Sequence, residues 1–189
     1  MGTQRVEQRL RDVTAALGKA GIPYAVIGGN AVNHWVATRN RYATVTTRDV
    51  DILVNRGDVD RVAATVTAIG FLRSDLRKLV MFVQPDEPDR RSGVHLHWAG
   101  ERVRPSYVVP APDTAESVDS GDGYRVIALG ALVSMKLASF RTKDRVHLEL
   151  LLSLGMIDES IRASLHPELA SRLAEVERTM DEDDFAEDP

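Results

Sequence analysis

The sequence predicts a mixed α/β domain followed by a C-terminal helical segment, and three observations carry that prediction. Short apolar runs at 24–27, 49–54, 79–83 and 94–98 have the length and patterning of strands. Segments of helical period, clearest at 4–19 and 59–69, alternate with them. From Ala128 onward the period is helical alone. A chain of 189 residues suits one domain with a small appendage and can bury a real core. We divide it into an α/β core over 1–110, a helical segment packed on that core over 111–180, and an acidic, disordered tail over 181–189.

The first helix is read from Val6, Leu10, Val13 and Leu17 at helical spacing with charges between them, and Gly18, Gly21 and Pro23 stop it. Tyr24–Ile27 is a fully apolar strand, and Gly28-Gly29-Asn30 turns from it into a helix over about 31–37. The polar, basic stretch 38–48 (TRNRYATVTTR) is a loop leading into a strand at 49–54. Asp58 caps a helix over 59–69, which Gly70 ends. Two more strands, 79–83 and 94–98, flank the charged loop QPDEPDRRSG, and 99–125 reads as an irregular crossing between two parts of the molecule. Three helical segments close the chain: ALGALVSMKLASF, KDRVHLELLLSLG and a third near 158–179.

Composition narrows the function classes. The formal charge of −4 comes from the tail DEDDFAEDP; without its six acids the rest carries +2, and no broad basic surface for nucleic acid is apparent. The absence of cysteine removes disulfide frameworks and thiolate metal sites and points to a reducing cytoplasm. The N-terminus lacks the apolar core of a signal peptide and no run is long enough to span a bilayer, so a soluble cytoplasmic protein is expected. There is no Gly-x-Ser-x-Gly elbow and no His-Glu-x-x-His.

The chemistry concentrates in 24–54. Asp49 and Asp51 stand at i and i+2 of one strand and so share a face. On the solvent face of an edge strand the pair is mildly repulsive; a divalent cation turns that repulsion into the reason for the arrangement, since hard cations take carboxylate oxygens together with substrate phosphates. Strand, glycine turn and helix start at Gly28-Gly29 form the geometry in which free backbone N–H groups face an anion, although the spacing matches neither the dinucleotide fingerprint nor the P-loop. Lys136 shares a helix face with Leu129, Leu132, Val133 and Phe140, either snorkelling from a buried stem or aimed into a cleft to meet phosphate. His95 and His97 alternate with Val94, Leu96 and Trp98, and as ligands would favour Zn²⁺, Mn²⁺ or other transition metals over Mg²⁺.

Taken together, GGNAV (28–32), TTRDVDILV (46–54) and LVSMKLASFRTKDRVHLELLLSLGMID (132–158) resemble the nucleotidyltransferase superfamily with the DNA polymerase beta type of palm, especially the small bacterial AbiEii/AbiGii toxin-like members. The resemblance implies a mixed-sheet nucleotidyltransferase fold. It also implies transfer of an NMP from an NTP, with Mg²⁺ or Mn²⁺, to a hydroxyl or phosphate on an acceptor that is RNA, protein or a small molecule. By motif position Asp49 and Asp51 would bind metal and act in catalysis. Gly28 and Gly29 would contact the triphosphate, with Asn30 and Arg48 beside them, and Lys136 would lie near the nucleotide. Active members usually supply a third carboxylate from a neighbouring strand, and His95 stands where that acid is expected. Either His95 substitutes as a base, or another acid such as Asp113 swings in, or the protein binds nucleotide without turning it over, as an interaction module with a cognate partner in a toxin–antitoxin pair. A resistance-type adenylyltransferase is a third reading.

Overall fold

The computed structural model describes residues 2–76 and 79–187. Its elements run α1 (Gly2–Lys19), β1 (Tyr24–Ile27), α2 (Gly28–Ala37), β2 (Val50–Val54), α3 (Val59–Ala68), β3 (Leu72–Arg73), β4 (Met81–Val83), β5 (Val94–Trp98), β6 (Ser117–Asp119), β7 (Arg125–Ile127), α4 (Leu129–Ser139), α5 (Thr142–Ser153), α6 (Glu159–Ser164) and α7 (Pro167–Glu187). All seven strands form one mixed sheet in the order β3-β4-β5-β2-β1-β7-β6. None of the described helices is long and apolar enough to cross a bilayer.

The centre of the sheet explains its sequences. Strand β1 is buried at every position, as is β2 except at Asp51, which is why both read as almost continuous apolar runs. Strand β2 pairs antiparallel with β1 and parallel with β5, so Asp51 lies in register with Ile27 on one side and His95 on the other. Residues at matched positions of paired strands share a face, and His97 follows two residues later on that face. The three polar side chains thus occupy one side of an otherwise apolar pair of strands.

Helix α1 buries Val6, Leu10, Val13 and Leu17, the stripe its period predicts. Its Arg9 is 1% exposed and fully engaged: Nε and Nη2 donate to Gln84 Oε1, Nη2 also to Glu87 Oε2, and Nη1 to the Arg48 carbonyl. A buried guanidinium therefore ties α1 both to the entry of β2 and to the loop between β4 and β5.

The structure departs from the sequence reading in several places. The sheet takes two strands, β6 and β7, from the stretch read as an irregular crossing; β7 lies parallel to β1, and Trp35 Nε1 donates to the Ile127 carbonyl beside it. The two-residue strand β3 was not foreseen, being too short to show a period. The third C-terminal segment is two helices, broken where Pro167 opens α7 in the position that tolerates its missing N–H. Helix α7 runs on to Glu187, taking in residues 181–187 of the block expected to be disordered; residues 188–189 lie outside the described residues.

Candidate active site

Helix α2 begins directly from β1, with no side-chain cap at Ile27. Gly28 makes that turn with φ +68°, and a Cβ built on it would stand 2.1 Å from Asp51 Oδ2. A Cβ on Gly29 would meet the Thr47 side chain at 2.8 Å. The two glycines thus let the backbone close down on the β2 carboxylate and on the segment leading to it. Asn30 adds a tie, its Nδ2 donating to the Asp49 carbonyl at 2.8 Å, and Thr47 Oγ1 donates to Asp49 Oδ1 at 3.0 Å.

Asp49 precedes β2 rather than starting it, yet its carboxylate still converges with that of Asp51. The Nδ1 atom of His95 lies 3.6 Å from Asp49 Oδ2 and 3.6 Å from Asp51 Oδ1. Its other ring nitrogen, Nε2, stands 2.8 Å from the Arg90 carbonyl, which can only accept, so Nε2 carries a proton. His97 Nε2 donates to Asp51 Oδ1 at 3.0 Å. Burial would raise the Asp51 pKa, but the imidazoles of His95 and His97 beside it outweigh that and hold the carboxyl well below its usual range. Burial pulls the His95 imidazole down, while Asp51, the Arg90 carbonyl and the charge of Asp49 together leave it raised.

Beside this group is a cavity of about 100 Å³, floored by Ile27, Gly28 and Asp51, walled by α4 and roofed by a strap that includes Val103, Tyr107 and Val109. The strap is closed at its neck, where Gly100 N donates to the Ala111 carbonyl and Ala111 N to the Glu101 carbonyl. Lys136 enters from α4. Its side chain is 6% exposed and its Nζ sits 3.0 Å from Oδ1 of the fully buried Asp144. Ser139 Oγ and Arg141 Nε both donate to Asp144 Oδ2. Burial lowers the Lys136 pKa, against the pull of Asp144 and of the more distant Asp51. Burial alone would raise Asp144; its bonds from Arg141 and Ser139 and the charge of Lys136 hold it well below the carboxylate range instead.

The structure brings Asp49, Asp51 and His95 together as a three-residue group able to offer one ligand atom each to an ion. Gly28, Lys136 and His97 line the adjoining cavity. Arg48 does not reach it: its carbonyl is held by Arg9, and its side chain lines a different cleft with Arg5 and Glu87. Asp113 is no third acid here, because its carboxylate caps the turn Thr114–Glu116. His97 and Asp144 carry more of the geometry than the sequence reading allotted them. The alternation of VHLHW already put His97 on the face of His95, whereas nothing in the sequence tied Asp144 to Lys136 eight residues earlier.

The donor set suits a divalent cation. Two carboxylates and an imidazole nitrogen converge without a bridging donor, and the imidazole is oriented by a carbonyl on its far nitrogen, as metal-ligating histidines commonly are.

No protein-family profile matches the chain, and no characterised protein matches it in sequence. Solved structures do. The antibiotic-resistance factor ANT(2'')-Ia superposes with a TM-score of 0.58 at 16% identity, over 98% of this chain and 100% of the other. The same factor in complex with adenylyl-2''-tobramycin gives a TM-score of 0.58 over 91% of this chain and 98% of that one. An antigenic nucleotidyltransferase-like protein from Paracoccidioides brasiliensis gives 0.59 at 13% identity, over 96% and 91%. The chain has the nucleotidyltransferase fold, a mixed α/β architecture with helices following the sheet.

Proposed function

We propose that this protein transfers a nucleoside monophosphate from an NTP to an acceptor, with a divalent metal held by Asp49 and Asp51. One observation carries the reading: two carboxylates from one edge of β2 converge beside the glycine turn that opens α2, next to a cavity into which a buried lysine projects. In such a transfer an acceptor oxygen joins the α-phosphorus, the bond to the bridging oxygen breaks, and pyrophosphate leaves with the electron pair. A bound divalent cation supplies charge neutralisation at the phosphates. The chain's own residues supply the rest. Asp49 and Asp51 place that charge, the free N–H groups of the first turn of α2 offer donors to phosphate oxygens, and Lys136 with Arg141 gives the cavity wall a positive side.

The cavity of about 100 Å³ is smaller than the few hundred Å³ typical of small-molecule sites, so on this reading a bound nucleotide would extend beyond it, past the strap over Val103–Ala111. The α/β core and the helical segment beyond it would then clasp the nucleotide between them. Membership of the AbiEii-like group, with its cognate partner protein, rests on the three sequence motifs. An aminoglycoside-type acceptor rests on what ANT(2'')-Ia binds.

Incubation with each labelled NTP, Mg²⁺ or Mn²⁺, and pools of RNA, protein and aminoglycosides tests the proposal. Labelled product that disappears in Asp51→Ala supports it. Metal-dependent NTP binding without product overturns transfer and leaves a nucleotide-binding module, the reading that a histidine in place of the third carboxylate favours.

A further inference from the structure

We infer that His95 is itself a metal ligand, through Nδ1, and that Asp49, Asp51 and His95 form a site for a divalent transition-metal ion of the Mn²⁺, Co²⁺ or Zn²⁺ class in preference to Mg²⁺. The inference deepens the proposed function and shares its premise that Asp49 and Asp51 hold a cation.

The tautomer carries the argument. Because Nε2–H donates to the Arg90 carbonyl, the nitrogen turned toward Asp49 and Asp51 is Nδ1, which in the neutral ring is a bare lone pair. It stands 3.6 Å from an oxygen of each carboxylate. That is longer than an N–H···O hydrogen bond, and with the ring neutral, the form in which it would bind a cation, three lone-pair atoms surround one point. Two ligands each ~2.1 Å from one ion stand roughly 3–3.5 Å apart, close to the two 3.6 Å separations from Nδ1, and all three ligand atoms lie within 4.8 Å of one another.

The donor chemistry then selects the ion. Mg²⁺ keeps oxygen ligands and several waters, whereas an imidazole in the set suits the later first-row metals. The Arg90 carbonyl is part of the site in the same sense. It belongs to a short turn, residues 90–92, capped by Asp89 and continuous with the loop that buried Arg9 grips through Gln84 and Glu87. The chain thus fixes the ring's orientation before any ion arrives. His97 takes a different part, its Nε2–H holding Asp51 Oδ1.

The test needs no nucleotide. Mn²⁺ and Mg²⁺ are titrated separately into the full chain by calorimetry, and bound Mn²⁺ is examined by electron spin echo for modulation from a coordinated ¹⁴N. The same is done for His95→Asp, His95→Gln and, as a control, exposed His166→Ala, each confirmed folded by circular dichroism. We expect one Mn²⁺ site with ¹⁴N modulation in the wild type and in His166→Ala, and no ¹⁴N modulation in either His95 variant. The preference for Mn²⁺ over Mg²⁺ should fall about tenfold in His95→Asp, which restores an all-oxygen set. Wild-type Mn²⁺ without ¹⁴N modulation, modulation that survives in a folded His95 variant, or no Mn²⁺ binding at all overturns the inference. Nucleotidyl transfer supported by Mg²⁺ alone would then still stand, so the two readings fail separately.

Discussion

A Cβ placed on Gly28 would lie 2.1 Å from Oδ2 of Asp51, closer than any real side chain could stand. The glycine turn and the Asp51 carboxylate are therefore one packed unit, with the backbone at the start of α2 resting against the acid. Gly28 also has φ +68°, where a Cβ is strained whatever the space. Gly28→Ala should cost about 2–4 kcal/mol in stability and push the Asp51 carboxylate off its present position. Chemical denaturation measures the first effect. A loss of Mn²⁺ affinity in the still-folded fraction measures the second, and unchanged affinity would separate the turn from the carboxylate.

Lys136 and Asp144 make a buried ion pair whose members were placed by two different helices. Removing the anion leaves a lysine ammonium in a nearly dry setting with half-exposed Arg141 beside it. Asp144→Ala should destabilise the protein by about 3–5 kcal/mol, while the double change Lys136→Met with Asp144→Leu should cost clearly less, because it removes the desolvated charges together. Denaturant midpoints for the single and double variants decide this; equal losses would mean that the pair is not the determinant.

His147 lies one helical turn beyond Asp144, its Nδ1 buried and without a hydrogen-bond partner among the described residues. Burial, assisted by the Lys136 charge, lowers its pKa to about 4. The unfolded chain titrates near 6.5, so between those values the unfolded state takes up a proton that the folded state refuses. The stability contributed by the neutral ring is complete above about pH 6.5 and is lost as the pH falls toward 4, by an amount on the order of 3 kcal/mol. His147→Leu should flatten the stability profile between those pH values relative to the wild type. Parallel profiles for the two proteins would rule the effect out.

Arg9 touches no proposed ligand, yet it holds the Arg48 carbonyl just before Asp49 and the loop that carries the Arg90 carbonyl. Arg9→Met keeps much of the apolar stem and removes these ties. It should destabilise the fold by about 3 kcal/mol, through the buried partners left unpaired. It should also weaken Mn²⁺ binding about tenfold, the usual scale for losing support behind a metal ligand. Calorimetry at a temperature where the variant stays folded separates the two effects.

By itself the sequence determined the elements whose signal is local. The period of Val6, Leu10, Val13 and Leu17 defined α1, and the apolar runs Tyr24–Ile27 and Val94–Trp98 are strands at those same residues. Helical geometry put Lys136 among apolar neighbours, which follows from side-chain direction along a single element; the i, i+2 spacing of Asp49 and Asp51 predicted that the acids converge, although Asp49 stands just before β2 and not within it. What tertiary structure decided is every relationship between elements. The parallel register of β2 with β5 sets His95 opposite Asp51, and the Arg90 carbonyl picks the nitrogen that faces the carboxylates. The turn between α4 and α5 hands Lys136 to Asp144, and the strands β6 and β7 complete a sheet that begins more than ninety residues earlier with β1. Such contacts depend on how the sheet closes around its core, and no local period records which strand will lie beside which.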